Sequence, residues 1–419
     1  MNRRQALKAT LTAATAAAAA SVLRPRRLNA QDAGPRAPGV AGDALYLNPA
    51  TGADTNPGTK DGPLRTLAEA ARRVNQSTGT GPTTIVLSEG IYPIGETTLL
   101  KPERRSFSTT ERLTIRAEVL PDDADWHAGR MPTLIHTMPV PPTWNGWPDP
   151  LGGAADGMMV ETSHVTVQGL KLLGLPVVES PKPGVIRRVY AISRLRRDLE
   201  DLEIAQCVFA GDEVTNPNHV AIIANGNGVR VHHCIFRGLK ISVVYWTPRS
   251  TGHAMTHCLC SDLYGSAVWT SGITSDFVYR NNIVADCNYV WTSQGGASAL
   301  ADAGGRGGRQ GVLSPATPQQ PVHYRVVDSW FANNRRLTGT GTGARLEYRD
   351  IDSSFLELIG TKVSDEPIIL ERDQARRNWL HPVAGSEAAK IGAGLFMKWQ
   401  GCMARFNARS VVREAGAGP

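Results

Sequence analysis

The sequence predicts an all-β chain folded as a solenoid of stacked coils, and three observations carry that prediction. The 419 residues include 42 Gly and 27 Pro, a composition that favours many turns over long helices. An eight-residue strand-like unit recurs through the middle, at Val165–Leu172, Leu202–Phe209, Val229–Phe236, His253–Cys260, Phe277–Val284 and Tyr324–Phe331. Successive units start 37, 27, 24, 24 and 47 residues apart, which reads as a basic period plus insertions. Most units alternate apolar and polar residues, break at small or polar ones and resume with an apolar residue, which is strand, turn, strand. A unit this short cannot bury its own apolar face. Similar units stacked about 4.8 Å apart can.

In chain order, residues 1–30 carry six basic residues and no acid. Arg3-Arg4 and Lys8 precede an Ala/Thr/Leu run ending at Val22 or Leu23, and small residues recur toward Ala30. This resembles a twin-arginine export signal and implies a periplasmic or secreted protein. The apolar run is too short to span a bilayer, so no integral membrane segment is expected in the mature chain. Residues 31–43 read as a linker. The whole chain has 45 basic against 38 acidic residues. Removing 1–30 leaves 39 against 38, with no global field for phosphate backbones, so nucleic acid is excluded as a partner. With 20% charged and 41% hydrophobic residues, the remainder is a folded body. A monomer is expected.

The mature chain opens with Leu45-Tyr46-Leu47 and a turn-rich stretch to Gly58. A helix follows over Leu67–Val74, with a strand near Ile85–Tyr92 after it. Thr66 and Glu69 make a capping box, and Leu67, Ala70, Ala71 and Val74 give the helix one apolar face suited to closing the end of a stack. With the repeat, this opening resembles the right-handed parallel β-helix proteins of the pectin-lyase-like superfamily, over residues 44–360. The resemblance implies polar ladders at the coil corners and a groove along a parallel sheet for a polysaccharide substrate or ligand. Neither an Asn-Thr-Asp with Gly-His-Gly set nor a Trp-Ile-Asp-His-type stretch is present, so no family catalytic residue carries over.

The sixth column of the unit reads Leu170, Cys207, Cys234, Cys258, Asn282 and Ser329. It is expected to be a buried ladder of reduced thiols, although neighbouring rungs lie within disulfide reach. The preceding column, Gln206, His233, His257, Asn281 and Asp328, reads as surface turn residues. His232, His233, His253 and His257 suggest a metal, but this column varies freely among polar types.

Three strands leading to the next coil carry Trp246, Trp269 and Trp291, which align with Thr247, Thr270 and Thr292 beside them. Facing out, the indoles form a platform for sugar rings; facing in, they fill the coil. In the turn before these strands Gly238, Asp262 and Asp286 align, with Asp212 and Glu213 one coil earlier. Lys240, Tyr264 and Asn288 form the neighbouring column, and Arg237 and Arg249 are near enough to bind substrate. A uronate lyase could hold Ca²⁺ on Asp212, Glu213, Asp262 and Asp286, with Lys240 or Tyr264 as base. A glycoside hydrolase would use two of the carboxyls across the bond. Against both stands a non-catalytic carbohydrate-binding or envelope scaffold in which the aspartates cap turns. The insertion at 118–157, with Trp126, Trp144 and Trp147, is expected to wall the groove, and 294–321 to be a mobile loop or lid. Residues 361–419 are read as a cap, helical over Glu371–Arg377 and Ala388–Phe406, across the open end of the stack.

Overall fold

Each coil gives one short strand to each of three long parallel sheets, because its apolar residues come in three short runs separated by corners. In the computed structural model the described residues are 44–141, 143–144, 147–148, 153–176, 188–293, 322–341 and 348–398. The stretches read as an export signal and a linker, Cys402 and the 294–321 stretch read as a mobile loop or lid lie outside them. Among the described residues the first sheet has ten strands, running from Ala44–Leu47 to Leu356–Ile359, and the second and third have nine each. The register is the one the repeat predicts. Val165 pairs with Leu202 and Leu202 with Val229, then Ala254 pairs with Arg230 and Val278. The chain is a parallel β-helix.

The corner from first to second sheet explains the two polar columns. Gln206, His233, His257, Asn281 and Asp328 all have left-handed backbone, with φ of 54°, 51°, 53°, 54° and 46°. The chain turns there by a single residue, and Asn and Asp are among the non-glycine types that tolerate this conformation best. The next column points inward. The Cys234 and Cys258 thiols donate to the carbonyls of Ile204 and Val231 one coil back, at 3.6 and 3.7 Å. Asn282 Nδ2 does the same to Met255 at 2.8 Å. Cys207, Cys234, Cys258, Cys260 and Cys287 are free and buried, as expected. The corner column is less exposed than predicted. Gln206 is buried, and His233 stacks on His257 with centroids 4.7 Å apart.

The helix spans Leu67–Gln76 with its predicted apolar face buried. Only half of the capping box forms. Thr66 Oγ1 accepts from Glu69 N at 3.2 Å, but the Glu69 carboxylate turns to Arg73 Nε at 2.7 Å. Asp54 Oδ1 already accepts from Thr66 N at 2.9 Å, which leaves Glu69 nothing to cap.

The outer face of the first sheet carries an ionic ladder. Asp201 accepts from Arg112 and from Arg230 at 2.8 Å, with His164 Nδ1 at 2.9 Å, and Glu203 meets His232 at 3.1 Å. Burial pushes Asp201 up, but its cationic partners outweigh this and hold it at about 2; the His232 contact holds Glu203 at about 2. Both carboxylates therefore stabilise the fold at and above their ordinary range and lose that contribution as pH falls from about 4 toward 2. Melting temperature against pH should show this loss, and Asp201→Asn should remove part of it. Glu203 is partly exposed, so its share of the effect is modest.

Two expectations need correction. The 118–157 stretch is not one insertion: Thr133–His136 is a strand of the second sheet and Ala154–Val160 a strand of the third, and the wall expected of residues 142, 145–146 and 149–152 falls outside the described residues. Trp126 is buried against Phe396, centroids 5.6 Å apart. The Trp144 and Trp147 backbones pair in a short antiparallel ladder, and their side chains lie outside the described residues. The C-terminal segment is not helical as predicted. Glu371–Arg377 forms turns in which the Glu371 and Asp373 carboxylates accept from nearby amides, and only Ala388–Ile391 makes a 3-10 turn; residues 399–406 lie outside the described residues. Nor does this segment run across the end of the stack. It lies along the outer face of the second sheet, whose Val208, Ile235, Leu259 and Ile283 are apolar and offer more surface to bury.

Candidate functional site

The corner from second to third sheet brings the predicted polar residues together. Arg237 stacks with Ser261 and Ala285, so Gly238, Asp262 and Asp286 align as predicted, and Asn333 extends the column. All four are left-handed, with φ of 68°, 57°, 57° and 49°. Gly238 must lack a side chain, since a Cβ there would lie 2.0 Å from the Gly211 carbonyl. Asp262 pairs with Arg237 at 3.0 Å and approaches Arg372 at 3.9 Å. Asp286 accepts from Asn333 Nδ2 at 2.6 Å, and Asn288 Oδ1 from Arg335 at 3.0 Å. Asp262, Tyr264, Asp286, Asn288, Asn333 and Arg335 line an open groove of about 610 Å³.

Behind this corner lies Lys240, only 1% exposed at the start of a third-sheet strand. Burial brings its amine down to about 7; Arg188 pushes the same way and Glu213 opposes. Its Nζ sits 6.0 Å from the centre of the Tyr348 ring. Burial raises the Tyr264 hydroxyl well above its ordinary value, and Glu213 and Tyr348 add to the rise. Lys240, Tyr264 and Asn288 stack on the corner side, but Gly265 is an extra residue that shifts the column by one, so Ile241 pairs with Ser266. Only Gly fits, because a Cβ would lie 2.4 Å from the Lys240 carbonyl.

The remaining predicted site residues are elsewhere. Arg249 is at the opposite end of the third-sheet strand, where its amide donates to Gly272 at 2.8 Å. The three tryptophans share no column. Trp269 pairs with Val244 and Thr292, while Trp291 pairs with Val268 and Thr338. Trp291 is fully buried in the main core, stacked on Tyr324 at 5.2 Å, with Nε1 donating to Thr270 at 3.1 Å. Trp269 lies in a separate cluster on the other face, also buried, with the half-buried Trp246 stacked on it at 5.2 Å. They are not an aligned platform.

The donor set does not suit Ca²⁺, which takes six to eight oxygens. Asp212 is spent on its own turn, accepting from Val214 N at 2.8 Å and Thr215 Oγ1 at 2.6 Å. Asp262 already faces two guanidiniums. Among the described residues no group of three or more His, Cys, Asp or Glu is arranged to hold a metal, the histidines included.

Two residues near Lys240 were not singled out from the sequence: Arg188 and Tyr348. Arg188 Nε donates to the Gly153 carbonyl at 2.8 Å. The available signal for Arg188 was a charged residue at the head of the strand Arg188–Arg194.

No family model matches the sequence, and a search of curated proteins returns no match. Solved structures show a likeness of fold. A rhamnogalacturonan lyase is 12% identical over 70% of this chain and 68% of its own, with a TM-score of 0.42. A GH136 lacto-N-biosidase from Eubacterium ramulus is 12% identical over 80% of this chain, with a TM-score of 0.35; the chain spans 58% of that protein. Pectin methylesterase PemA from Erwinia chrysanthemi is 10% identical over 83% of this chain and 96% of its own, with a TM-score of 0.35. Among the described residues no helix is long and apolar enough to cross a membrane.

Proposed function

We propose that the chain is an exported enzyme that cleaves a uronate-containing polysaccharide by β-elimination at the corner between the second and third sheets. One observation carries this reading: a buried lysine brought to about 7, with Arg188 acting on it and Tyr348 6.0 Å from its amine, at the corner whose groove Tyr264 lines. β-Elimination needs a base for the proton next to the carboxylate, a cation to hold that carboxylate and a donor for the leaving oxygen. Neutral Lys240 Nζ takes the proton, the C–H electrons form the new double bond, and the glycosidic C–O bond breaks. Tyr264 gives its proton to the leaving oxygen, and Arg188 holds the carboxylate. Tyr348 has to swing aside for substrate to reach Nζ.

The hydrolase reading has less support, because Asp262 and Asp286 each hold a partner on their own corner. The near-complete burial of Lys240 favours, as the second reading, a scaffold in which this amine is only a packed cation. The paired arginines of the leader support a periplasmic or extracellular destination. The test is a panel of uronate-containing glycans, with and without Ca²⁺. New ultraviolet absorption from unsaturated ends, unaffected by chelation, is the expected result. Reducing ends without that absorption would make the protein a hydrolase, and binding with neither product would make it a scaffold.

A further inference from the structure

The C-terminal segment owes its place to a small number of contacts. Its Leu370, Leu395 and Phe396 pack on Val208, Ile235 and Leu259 of the second sheet. Gly394 N donates to the His257 carbonyl at 2.9 Å, and Gln206 Nε2 to the Leu395 carbonyl at 2.8 Å. Arg377 reaches the carbonyls of Pro121 and Ala124, each at 3.0 Å, and Lys398 N reaches Asp122 at 3.0 Å.

At the centre lies His381, 2% exposed, with Phe396 stacked on it at 4.7 Å. Its Nδ1 is 2.9 Å from the Trp379 carbonyl, and its Nε2 is 2.8 Å from Leu395 N. A carbonyl only accepts and an amide N–H only donates. The two contacts therefore fix the neutral tautomer, with hydrogen on Nδ1 and a lone pair on Nε2. A second proton would set Nε2–H against Leu395 N–H with no room to part, because Gly394 packs directly on the ring: a Cβ there would lie 2.1 Å from Cδ2. The charged and titratable groups around this core are His233 and His257, stacked below, and His232 with Glu203. Arg280 lies beside His257, Arg377 over the Phe396 ring, Asp122 at Gln206 and Glu371 on the neighbouring turn.

We infer that residues 367–398 are an acid-released strap: protonation of His381 at Nε2 breaks its bond to Leu395 and lifts the segment off the second sheet while the coils stay folded. Burial holds His381 at about 4, and His257 likewise, so the docked strap favours the neutral ring. Docking is complete above the ordinary histidine value of about 6.5 and weakens as pH falls toward 4. One such histidine changes the docking equilibrium on the order of 100-fold across that window.

Hydrogen exchange of the full chain, corrected for intrinsic rates, at about pH 7.5 and about pH 4.5 tests this. Peptides within 367–398 should lose protection on the order of 100-fold at acid pH while second-sheet strands keep theirs. His381→Gln keeps an acceptor and cannot titrate, so at acid pH its strap should keep much more of its protection than the native strap, with His257 the group left to titrate beneath it. His233→Asn leaves His381 intact and should release like the native chain. Equal protection of the native strap at both pH values overturns the inference, and that arm decides even where His381→Gln docks poorly. Release of His381→Gln with the native profile, or its loss in His233→Asn, overturns it as well.

Discussion

Lys240→Met lowers kcat/KM on the cleaved polymer by about 10³-fold, the loss expected when a positioned base is removed. The substitution keeps length and volume and takes a cation out of a buried site, so the fold should hold or gain stability. The pH profile gives a second readout. A lysine base acts only when neutral, and this amine is brought from 10.5 to about 7, so native activity should rise with pH through about 7 and level off above it. The same shift makes native stability rise with pH between about 7 and 10.5, because there the unfolded chain binds the extra proton. Lys240→Met should flatten that rise whether or not the chain is an enzyme. Unchanged turnover with a flattened stability profile would leave Lys240 as a packed cation only.

Trp291→Ala lowers the free energy of unfolding by about 3–5 kcal/mol, as large-to-small changes of buried aromatics do. Its indole is fully buried among Phe277, Tyr279 and Tyr324, at 5.6, 5.3 and 5.2 Å, and its Nε1–H has Thr270 as partner. Removing it leaves a cavity and takes one hydrogen bond from Thr270. Trp246→Ala, at the half-buried edge of the other cluster, should cost much less. Denaturant unfolding of the two variants measures the contrast, and equal costs would contradict the opposite facing of the strand positions.

The coils and two of their corners were legible because their physics is local. In the first sheet one face is buried and the other polar, so alternation sets the phase of each strand, and the single left-handed residue at Gln206, His233, His257 and Asn281 marks each coil at the same point. The third sheet gives no such signal. Strands such as Val220–Ala224, Ile241–Tyr245 and Ser266–Thr270 are buried at every position, so no period of two remains to fix which residue lies over which. Similar words, Tyr-Trp-Thr, Val-Trp-Thr and Val-Trp-Thr, therefore suggested an aligned tryptophan ladder that the extra Gly265 and unequal offsets displace. The polar neighbourhood of Lys240 was half legible. Lys240, Tyr264 and Glu213 lie near the corner in sequence, whereas Arg188 and Tyr348 reach it from other coils. The C-terminal strap was misread because its apolar residues are spaced for a sheet surface it has to follow, with no helical period of its own.

The repeated corner has a consequence for how such a molecule changes in size. Phe277 occupies, one storey up, the seat that His253 holds, with Asn281 above His257 and Asn282 above Cys258. Strand pairing joins each storey only to those directly above and below, so a whole storey is removable or repeatable with the ladder closing again across the join. A fraction of a storey is not, since it would put a polar corner over an apolar wall.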